Sequence, residues 1–451
     1  KYSKCYRFQD INYTTATEDE QIGIFERYCK FLNSMDCNYK ITINNKNKNM
    51  DDLRDKVLIT EREDGFNNYR RIYNDIIEEK IIEGRQGIEQ ERYLTITIER
   101  KNFEEAKAQF ATIEASMFRS FAELGSKLTP LTGNERLKIL HDYYRLGRED
   151  EFNFDIRQGR ITGTDFRNEI CNTRIKYHPD YFENEGKVGR VLFIKKYPTY
   201  LSDRFFTELT FLPVHSVTSV DVVPVPKDLT MKMLQKKYLG IESDIIKQQR
   251  TRNRNNDFSS DISYATRQKK KDIEEIMNNV RENDESLYYV SVTMIVMADD
   301  RDELQSICET VDSIAKGAGC AVDTCMYKQR EAVNTTLPIG VRQIETMRTM
   351  LTQSLAVLMP FNVQELCDRN GIYYGVNQIS KNIIVGNRKK LLNGNGFIFG
   401  VSGAGKSFQA KMEMGSVLLS TDDNVIAVDP MNGAKRSYLK RVGAIFIKLY
   451  A

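Results

Sequence analysis

Several features are scarce in this chain of 451 residues, and each scarcity excludes a class of protein. The sequence has only three histidines and its eight cysteines form no C-x-x-C pair, so we do not expect a structural zinc site. Eight cysteines are also too sparse for a secreted disulfide framework, so we expect reduced thiols in a cytosolic protein. No apolar run approaches the ~18 residues of a membrane-spanning helix, and the N-terminus lacks the apolar core of a signal peptide.

An excess of one charge is missing as well, because 66 Lys and Arg face 63 Asp and Glu, for a formal net charge of +3. A balance this close is not typical of a protein that coats nucleic acid. Hydrophobic residues, in contrast, make up 41% of the chain and aromatic residues 10%, which excludes global disorder. At roughly 150 residues per domain, the length predicts two to three domains. The first residue is Lys1, and we expect the chain to begin inside a longer protein.

Residues 1–226 alternate strand-like and helix-like patterns and predict an α+β N-terminal domain. Apolar and polar residues alternate over 39–43, as in a half-buried strand, and apolar residues recur at helical spacing over 103–124. A strand over 289–297 starts a further strand–helix–strand unit, so we predict that 286–335 continues the α+β region with the same small motif.

Residues 227–285 differ in composition, with many Asn, Gln and basic residues and few strongly apolar positions. We predict an insertion of two long helices with a polar turn near residues 253–257. Its basic residues, including Lys269, Lys270 and Lys271, fit a contact with nucleic acid or an acidic partner. Acidic residues interrupt the basic run, however, and this favours a solvated helical insertion.

A phosphate-binding loop is the strongest functional signal in the chain. Residues 396–399 predict a short apolar strand, and the sequence GVSGAGKS that follows matches G-x-x-x-x-G-K-[ST] at every fixed position. We expect backbone N–H groups at the following helix N-terminus to bind the β-phosphate of ATP, Lys406 to contact the β- and γ-phosphates, and Ser407 to ligate Mg²⁺. The predicted nucleotide-binding residues are Gly400, Val401, Ser402, Gly403, Ala404, Gly405, Lys406, Ser407 and Phe408. A Gly-rich turn without ligand is the alternative, but the helix formers after the loop favour the phosphate loop.

A second, buried, parallel-type strand is predicted at 424–430, with Asp429 at its C-terminal end, where ligand-facing residues of open α/β sheets lie. We predict Lys406 as a catalytic residue. Asp429 has two interpretations: a catalytic carboxylate near the γ-phosphate, or a turn residue before Pro430. A P-loop domain needs ~200 residues, so 336–451 is predicted to hold a linker helix and the first part of one, with the Mg²⁺ carboxylate and any arginine finger beyond this chain.

The last quarter of the chain resembles the conjugal transfer ATPases of type IV secretion systems, the VirB-type, TraC/TrbE-like family. The most specific stretch is 393–408, which contains the loop. Other residues that carry the resemblance are Leu337-Pro338-Ile339-Gly340, Pro360-Phe361, Gly371-Ile372-Tyr373-Tyr374-Gly375-Val376-Asn377 and Val428-Asp429-Pro430. Residues 129–147, with Leu137 and His141, are similar to the N-terminal region of the family.

This resemblance implies an α+β N-terminal part that docks on inner-membrane proteins of the secretion channel, followed by a RecA-like motor. It implies ATP hydrolysis coupled to channel assembly and to passage of DNA or protein, with Gly403, Gly405, Lys406 and Ser407 at the nucleotide-binding positions. It also implies a homo-oligomer, often a hexamer, and contact with DNA or the relaxosome. The implied location is the cytoplasm, at the inner face of the cell membrane, without a transmembrane segment of the protein's own.

Two other functions remain open at the level of sequence. The first is a HerA/FtsK-like DNA translocase, which shares the fold class but pumps duplex DNA directly. The second is a docking module that binds nucleotide only to order its fold and does not hydrolyse it. The family usually has an acidic residue soon after its Asp-Pro pair, and this chain has Met431-Asn432-Gly433 there, which favours the docking module.

Overall fold

The structure is a computed structural model that describes residues 1–47, 54–55, 57–83, 88–171, 174–198, 200–254, 264–282, 284–377, 382–428 and 445–447. Over these residues the protein is a mixed α/β fold with a large antiparallel sheet and 13 helices. The mixed architecture that the sequence predicted is thereby confirmed. The chain divides into two compact units, residues 1–46 with 90–362 and residues 47–89 with 363–451.

The strands are β1 (Tyr2–Phe8), β2 (Asn38–Asn47), β3 (Ile88–Ile98), β4 (Leu128–Pro130), β5 (Ile175–Tyr177), β6 (Phe182–Asn184), β7 (Lys187–Lys196), β8 (Ser216–Val225), β9 (Leu287–Ala298), β10 (Ala321–Thr324), β11 (Arg348–Leu351), β12 (Ile372–Val376), β13 (Ile383–Gly386), β14 (Ile426–Val428) and β15 (Ile445–Ile447). The helices are α1 (Glu18–Ser34), α2 (Asn67–Glu83), α3 (Phe103–Leu124), α4 (Gly133–Tyr144), α5 (Ile156–Thr162), α6 (Arg167–Ile170), α7 (Asp203–Thr210), α8 (Lys227–Arg254), α9 (Tyr264–Glu282), α10 (Arg301–Gly317), α11 (Gln329–Thr336), α12 (Thr352–Ala356) and α13 (Lys406–Ser420). Two short 3₁₀ helices, Glu149–Glu151 and Arg388–Lys390, complete the described elements.

The first unit is built on an eleven-stranded sheet in the order β4-β1-β3-β2-β8-β9-β7-β6-β5, with β10 beside β7 and β11 beside β9. Strand β9 is buried at almost every position, in keeping with its mostly apolar sequence. Met294 and Val296 pack into one core, whereas Ile295 and Met297 pack into another. Because successive side chains point to opposite faces of a strand, both faces of this sheet are covered.

Local capping signals fix the starts of several helices in the first unit. Thr17 and Thr132 each form a capping box with the glutamate three residues later, at the starts of α1 and α4. Asp300 caps α10 by accepting hydrogen bonds from the N–H groups of Asp302 and Glu303. The acidic pair Asp299-Asp300, which follows β9, therefore stands at the start of a helix.

A buried lysine holds the chain that follows α11. Lys40 Nζ donates hydrogen bonds to the carbonyl oxygens of Thr335, Leu337 (3.3 Å), Ile339 (3.0 Å) and Val341 (3.0 Å). Burial lowers the pKa of Lys40 to about 8, against an opposing effect of the nearby Asp221 carboxylate. An ammonium has three donors and no acceptor, so carbonyl oxygens from the end of α11 and from the chain after it are suitable partners.

The two long helices predicted between 227 and 285 are present as α8 and α9, and they pack against each other. Tyr238 donates a hydrogen bond to Glu274 at 3.2 Å, and Lys270 donates to Glu242 at 3.0 Å. The predicted turn falls mostly on residues 255–257, which lie outside the described chain. Most described side chains of the pair are exposed, as expected for a solvated insertion.

The second unit combines two separate parts of the chain. Helix α2 and the residues before it come from the segment between β2 and β3, which are neighbours in the first unit's sheet. Strands β12 and β13 pair in antiparallel fashion and β14 and β15 pair in parallel. The buried core of this unit consists of Val57, Ile59, Tyr73, Ile77 and Ile81 from the inserted segment and Ile383, Val385 and Leu419 from the later part.

The compact units divide the chain at other positions than the predicted domains 1–226, 227–285, 286–335 and 336–451. Composition changes along the chain guided those boundaries, whereas an insertion between two adjacent strands leaves no such mark. Compact packing units and functional domains are different divisions, so the predicted domains stay predictions. Where a linker helix was expected, the segment 337–362 contains strand β11 and the five-residue helix α12.

None of the eight cysteines, all of which lie in the described residues, forms a disulfide in the structure. Among the described helices, none combines the length and the apolar character that a membrane crossing requires.

Candidate functional site

The predicted phosphate loop forms a tight turn that leads into helix α13. Gly403 and Gly405 have φ angles of 84° and 85°, in the left-handed region that residues with a Cβ rarely adopt. The N–H of Ala404 donates to the carbonyl oxygen of Val401 at 3.2 Å, which closes the turn. Gly405 is the N-cap of α13 and makes no side-chain cap hydrogen bond. Gly403 and Gly405 therefore supply the left-handed backbone conformations of this turn, whereas Gly400 has no positive φ angle.

The N-terminus of α13 presents backbone donors toward an exposed surface. The first turn closes with a 2.9 Å hydrogen bond from the N–H of Gln409 to the carbonyl oxygen of Gly405. The N–H groups of Lys406, Ser407 and Phe408 precede this bond and have no acceptor within the helix. The end of a helix where such N–H groups gather carries a partial positive charge. Because 400–405, Ser407 and Phe408 are exposed, an anion from solvent can reach these donors.

The Lys406 side chain folds back into the loop. Its Nζ donates hydrogen bonds to the carbonyl oxygens of Gly400 at 2.6 Å and Val401 at 2.7 Å. A Cβ on Gly400 would come within 3.3 Å of Ala404 Cβ, a tight contact that the glycine avoids. The cation therefore stands inside the loop, where phosphate oxygens would compete with the two carbonyls for its protons.

Ser407 and Asp429 are the predicted Mg²⁺ ligand and the predicted catalytic carboxylate, and only Ser407 lies in the described chain. Ser407 is exposed in the first turn of α13, where its hydroxyl can add one oxygen to a metal ion. Over the described residues, no group of three or more His, Cys, Asp or Glu side chains could hold a metal. Asp429, predicted as a catalytic carboxylate, lies outside the described residues.

The prediction of a strand at 396–399 is wrong, because the structure has no strand there. Phe397 and Phe399 are 82% and 87% exposed, and their rings stack with centroids 5.7 Å apart. A strand needs a neighbour for its N–H and C=O groups, and no described strand lies beside this segment. The strand predicted at 424–430 is present as β14, with β15 as a parallel neighbour, but Ile426 is 62% exposed rather than buried.

A trio of side chains supports α13 and the chain that enters the loop. Glu413 accepts a hydrogen bond from the hydroxyl of Tyr374 at 3.1 Å and an ion pair from Arg388 at 2.6 Å. The Arg388 guanidinium also lies 5.7 Å from the centroid of the Tyr374 ring. A Cβ on Gly396 would come within 2.9 Å of that guanidinium, so this glycine permits Arg388 to pack on the entering chain. The sequence predicted no role for any of these three side chains.

The two lysines that follow Arg388 each have an acidic partner. Lys390 donates to Asp368 at 2.9 Å, and this hydrogen bond lowers the pKa of the Asp368 carboxyl. Lys389 forms a 2.6 Å ion pair with Asp423, whose pKa is lowered by the same kind of contact. These basic residues are therefore engaged within the unit, and Lys406 remains the cation that the loop itself positions.

The C-terminal end of α13 is held by two arginines from the inserted segment. Arg70 is fully buried and donates from Nε to the carbonyl oxygen of Leu419 at 3.0 Å. Arg62 donates from Nη2 to the carbonyl oxygen of Ser420 at 2.9 Å. The last carbonyls of a helix lack intrahelical partners and carry partial negative charge, which guanidinium groups complement. Local sequence patterns do not predict these contacts, because the partners lie ~350 residues apart.

No protein-family model matches the sequence, and no curated protein is significantly similar to it. The functional assignment therefore depends on the loop, its helix and the residues that position them.

Proposed function

We propose that this chain binds ATP with Mg²⁺ through the loop from Gly400 to Phe408. The observation that carries the proposal is the combination of two left-handed glycines, an open helix N-terminus and the Lys406 ammonium within one exposed turn. Backbone N–H groups of 406–408 supply donors for a β-phosphate. Lys406 supplies a positive charge to the β- and γ-phosphate oxygens, and the Ser407 hydroxyl supplies an oxygen ligand for Mg²⁺.

Calorimetry of Mg-ATP binding to the 451-residue chain tests this proposal directly. We expect Lys406→Ala to weaken binding at least about tenfold, since it removes a charge-assisted contact to phosphate. Lys411→Ala is the matched control, because it removes the same charge from the same helix outside the loop. Equal affinity of the unsubstituted chain and Lys406→Ala would remove the loop from nucleotide binding. Circular dichroism of each variant verifies that the fold is retained.

At the level of the whole protein, we propose an ATP-driven motor component of a type IV secretion or conjugation system. Supporting features are the phosphate loop and the resemblance of 393–408 to that family, with the parallel pair β14 and β15 as part of a RecA-like domain. In this proposal Lys406 and Asp429 take catalytic roles in ATP hydrolysis, which drives channel assembly and transfer of DNA or protein. The proposed partners are channel proteins at the inner face of the cell membrane, further copies in a hexamer, and DNA or the relaxosome.

Stimulation of ATPase activity distinguishes this motor from the two other functions that the sequence left open. Activity that rises with secretion-channel proteins supports the conjugation motor, whereas activity that rises with duplex DNA alone supports a HerA/FtsK-like translocase. Tight Mg-ATP binding without phosphate release under either condition supports a docking module. Lys406→Ala serves as the background in each assay.

A further inference from the structure

Residues 57–66 form an ordered loop that leads into helix α2. Asn74 Oδ1 accepts from the N–H of Ile59, and Asn74 Nδ2 donates to its carbonyl oxygen, each at 2.9 Å. Asn67 Oδ1 accepts from the N–H of Arg62 at 2.9 Å. These paired contacts fold the loop onto the helix and place Arg62 for its contact with α13.

Arg70, in the first turn of the same helix, is also held by several hydrogen bonds. Its Nη1 donates to Asp64 Oδ1 at 2.6 Å and to Asn67 Oδ1 at 2.9 Å, and its Nη2 pairs with the other Asp64 oxygen. The hydrogen bond from Arg70 lowers the pKa of Asp64, so this carboxyl stays ionised. The remaining donor, Nε, reaches the carbonyl oxygen of Leu419. A fixed fork of donors of this kind is a property of arginine that lysine lacks.

Arg62 makes a second, parallel contact with the same end of α13. Besides its bond to the Ser420 carbonyl, its Nη1 pairs with Asp422 at 2.6 Å, just beyond the helix. Two guanidinium groups therefore bind two successive terminal carbonyls of the helix that begins at the phosphate loop. The segment also supplies five of the eight side chains in the unit's buried core.

We infer that residues 57–83 are a nucleotide-responsive element, which Arg62 and Arg70 couple to the phosphate-loop helix. This inference rests on the proposed binding of Mg-ATP at the loop. Helix α13 is 15 residues long, so one continuous hydrogen-bonded body of about 22 Å joins the loop to the two arginines. A ligand that binds the N-terminal N–H groups suppresses local opening of that helix, and every segment whose bonds depend on the helix is protected with it.

Coupling of this kind is reciprocal. If nucleotide stabilises the contacts of Arg62 and Arg70, loss of those contacts must weaken nucleotide binding by the same factor. Arg62 and Arg70 thus act as positioning residues, through α13, for a site that neither of them touches. In the chain this segment lies between β2 and β3, so it also connects the nucleotide unit covalently to the first unit's sheet.

Hydrogen–deuterium exchange on the unsubstituted chain, with and without Mg-ATP, tests the inference. We expect slower exchange at 400–408 and, in the same experiment, in peptides from 57–83. Both effects should be smaller in Lys406→Ala at the same subsaturating concentration of Mg-ATP. Protection at 400–408 with no change in 57–83 would overturn the inference and leave nucleotide binding intact. Absence of protection at both places would overturn the proposed function itself.

Affinity measurements on variants provide the reciprocal test. We expect Arg70→Leu to weaken Mg-ATP binding about tenfold and Arg62→Leu to weaken it less, because Arg62 is more exposed. Arg71→Leu is the matched control, since Arg71 adjoins Arg70 on α2 but pairs with Glu61 at the surface. Arg70→Lys keeps the charge without the fork and should fall between Arg70→Leu and the unsubstituted chain. Equal affinity of Arg70→Leu and Arg71→Leu would contradict the coupling.

Discussion

Arg92 and Asp10 form a buried ion pair, with 2.6 Å between Nη2 of the arginine and Oδ2 of the aspartate. Arg92 also donates from Nε to the carbonyl oxygen of Pro360 at 2.7 Å. Asp10 accepts from the N–H of Asn362 at 2.8 Å. The pair therefore fastens the last residues of the first unit to β3 and to the chain after β1, just before the second unit resumes.

Removal of one partner should leave the other charge buried and unpaired. We expect Asp10→Ala to lower the free energy of unfolding of the first unit by about 3–5 kcal/mol, measured by urea denaturation. Glu99→Ala, which breaks an exposed pair with Lys1, should change it little. The double variant Asp10→Leu, Arg92→Met should lose less unfolding free energy than Asp10→Ala, because neither charge is then left unpaired. A single variant as stable as the unsubstituted chain would show that the pair contributes nothing.

Stability should also depend on pH through His215. Burial lowers the pKa of His215 to about 4, and its Nδ1 atom has no hydrogen-bond partner within the described chain. The unfolded chain binds this proton near pH 6.5, so the contribution of His215 is complete above that pH and is lost as the pH falls toward 4. The loss reaches about 3 kcal/mol at pH 4.

Urea denaturation between pH 7 and pH 4 checks this expectation. His215→Gln should flatten the decline in unfolding free energy relative to the unsubstituted chain. His178→Gln is the control, because His178 is half-buried and already hydrogen-bonded to Glu183 at 3.1 Å. Parallel pH profiles for the unsubstituted chain and His215→Gln would show that another group causes the decline.

The left-handed glycines of the loop should matter for nucleotide more than for folding. Alanine at Gly403 or Gly405 costs about 1–2 kcal/mol in that conformation, so the loop should relax to another shape. We expect Mg-ATP affinity to fall about tenfold, while the thermal unfolding midpoint shifts little, since the loop is exposed. Gly317→Ala is the control, because a Cβ there meets open space and its φ is not positive. Unchanged affinity in Gly403→Ala would mean that the ligand does not need this turn.

Ser407→Ala should act mainly through the metal. In calorimetric titrations of ATP at several Mg²⁺ concentrations, we expect this variant to lose most of the enhancement that Mg²⁺ gives to the unsubstituted chain. Affinity for ATP in EDTA should change little, because the backbone donors and Lys406 remain. Ser402→Ala, a serine in the same loop before the helix, should keep the full enhancement. An identical loss in both serine variants would point to loop distortion instead.

Features with local causes were predictable from the sequence. The helix starts at Thr17 and Thr132 depend on contacts within four residues, and the phosphate loop is a motif of eight. Strand β9 is recognisable as a mostly apolar segment, with Ser291 and Thr293 as its polar residues, because both of its faces are buried. In each case the stabilising partners of a residue lie within its own sequence window, or burial alone determines the pattern.

Features with distant causes were not predictable in this way. The apolar pattern at 396–399 predicts a strand, but strand formation depends on a neighbour that the pattern cannot supply. Arg70 is one of many basic residues in the sequence, and only the fold brings it to Leu419. The same holds for Glu413 of α13 and Arg388, which follows β13, because only the fold brings these two side chains together.

The interleaved origin of the second unit has a consequence for how the protein is made. The chain that completes the core of 57–83 follows about 300 residues later. Ribosomes add about 5–20 residues per second, so roughly 15–60 s separate the synthesis of the two parts. During that interval Tyr73, Ile77 and Ile81 have no partners from the later part of the chain. A nascent chain in this condition is a substrate for chaperones, and a recombinant fragment that starts at 363 lacks most of its own core. Successful dissection of this protein must therefore carry residues 57–83 along with the phosphate loop.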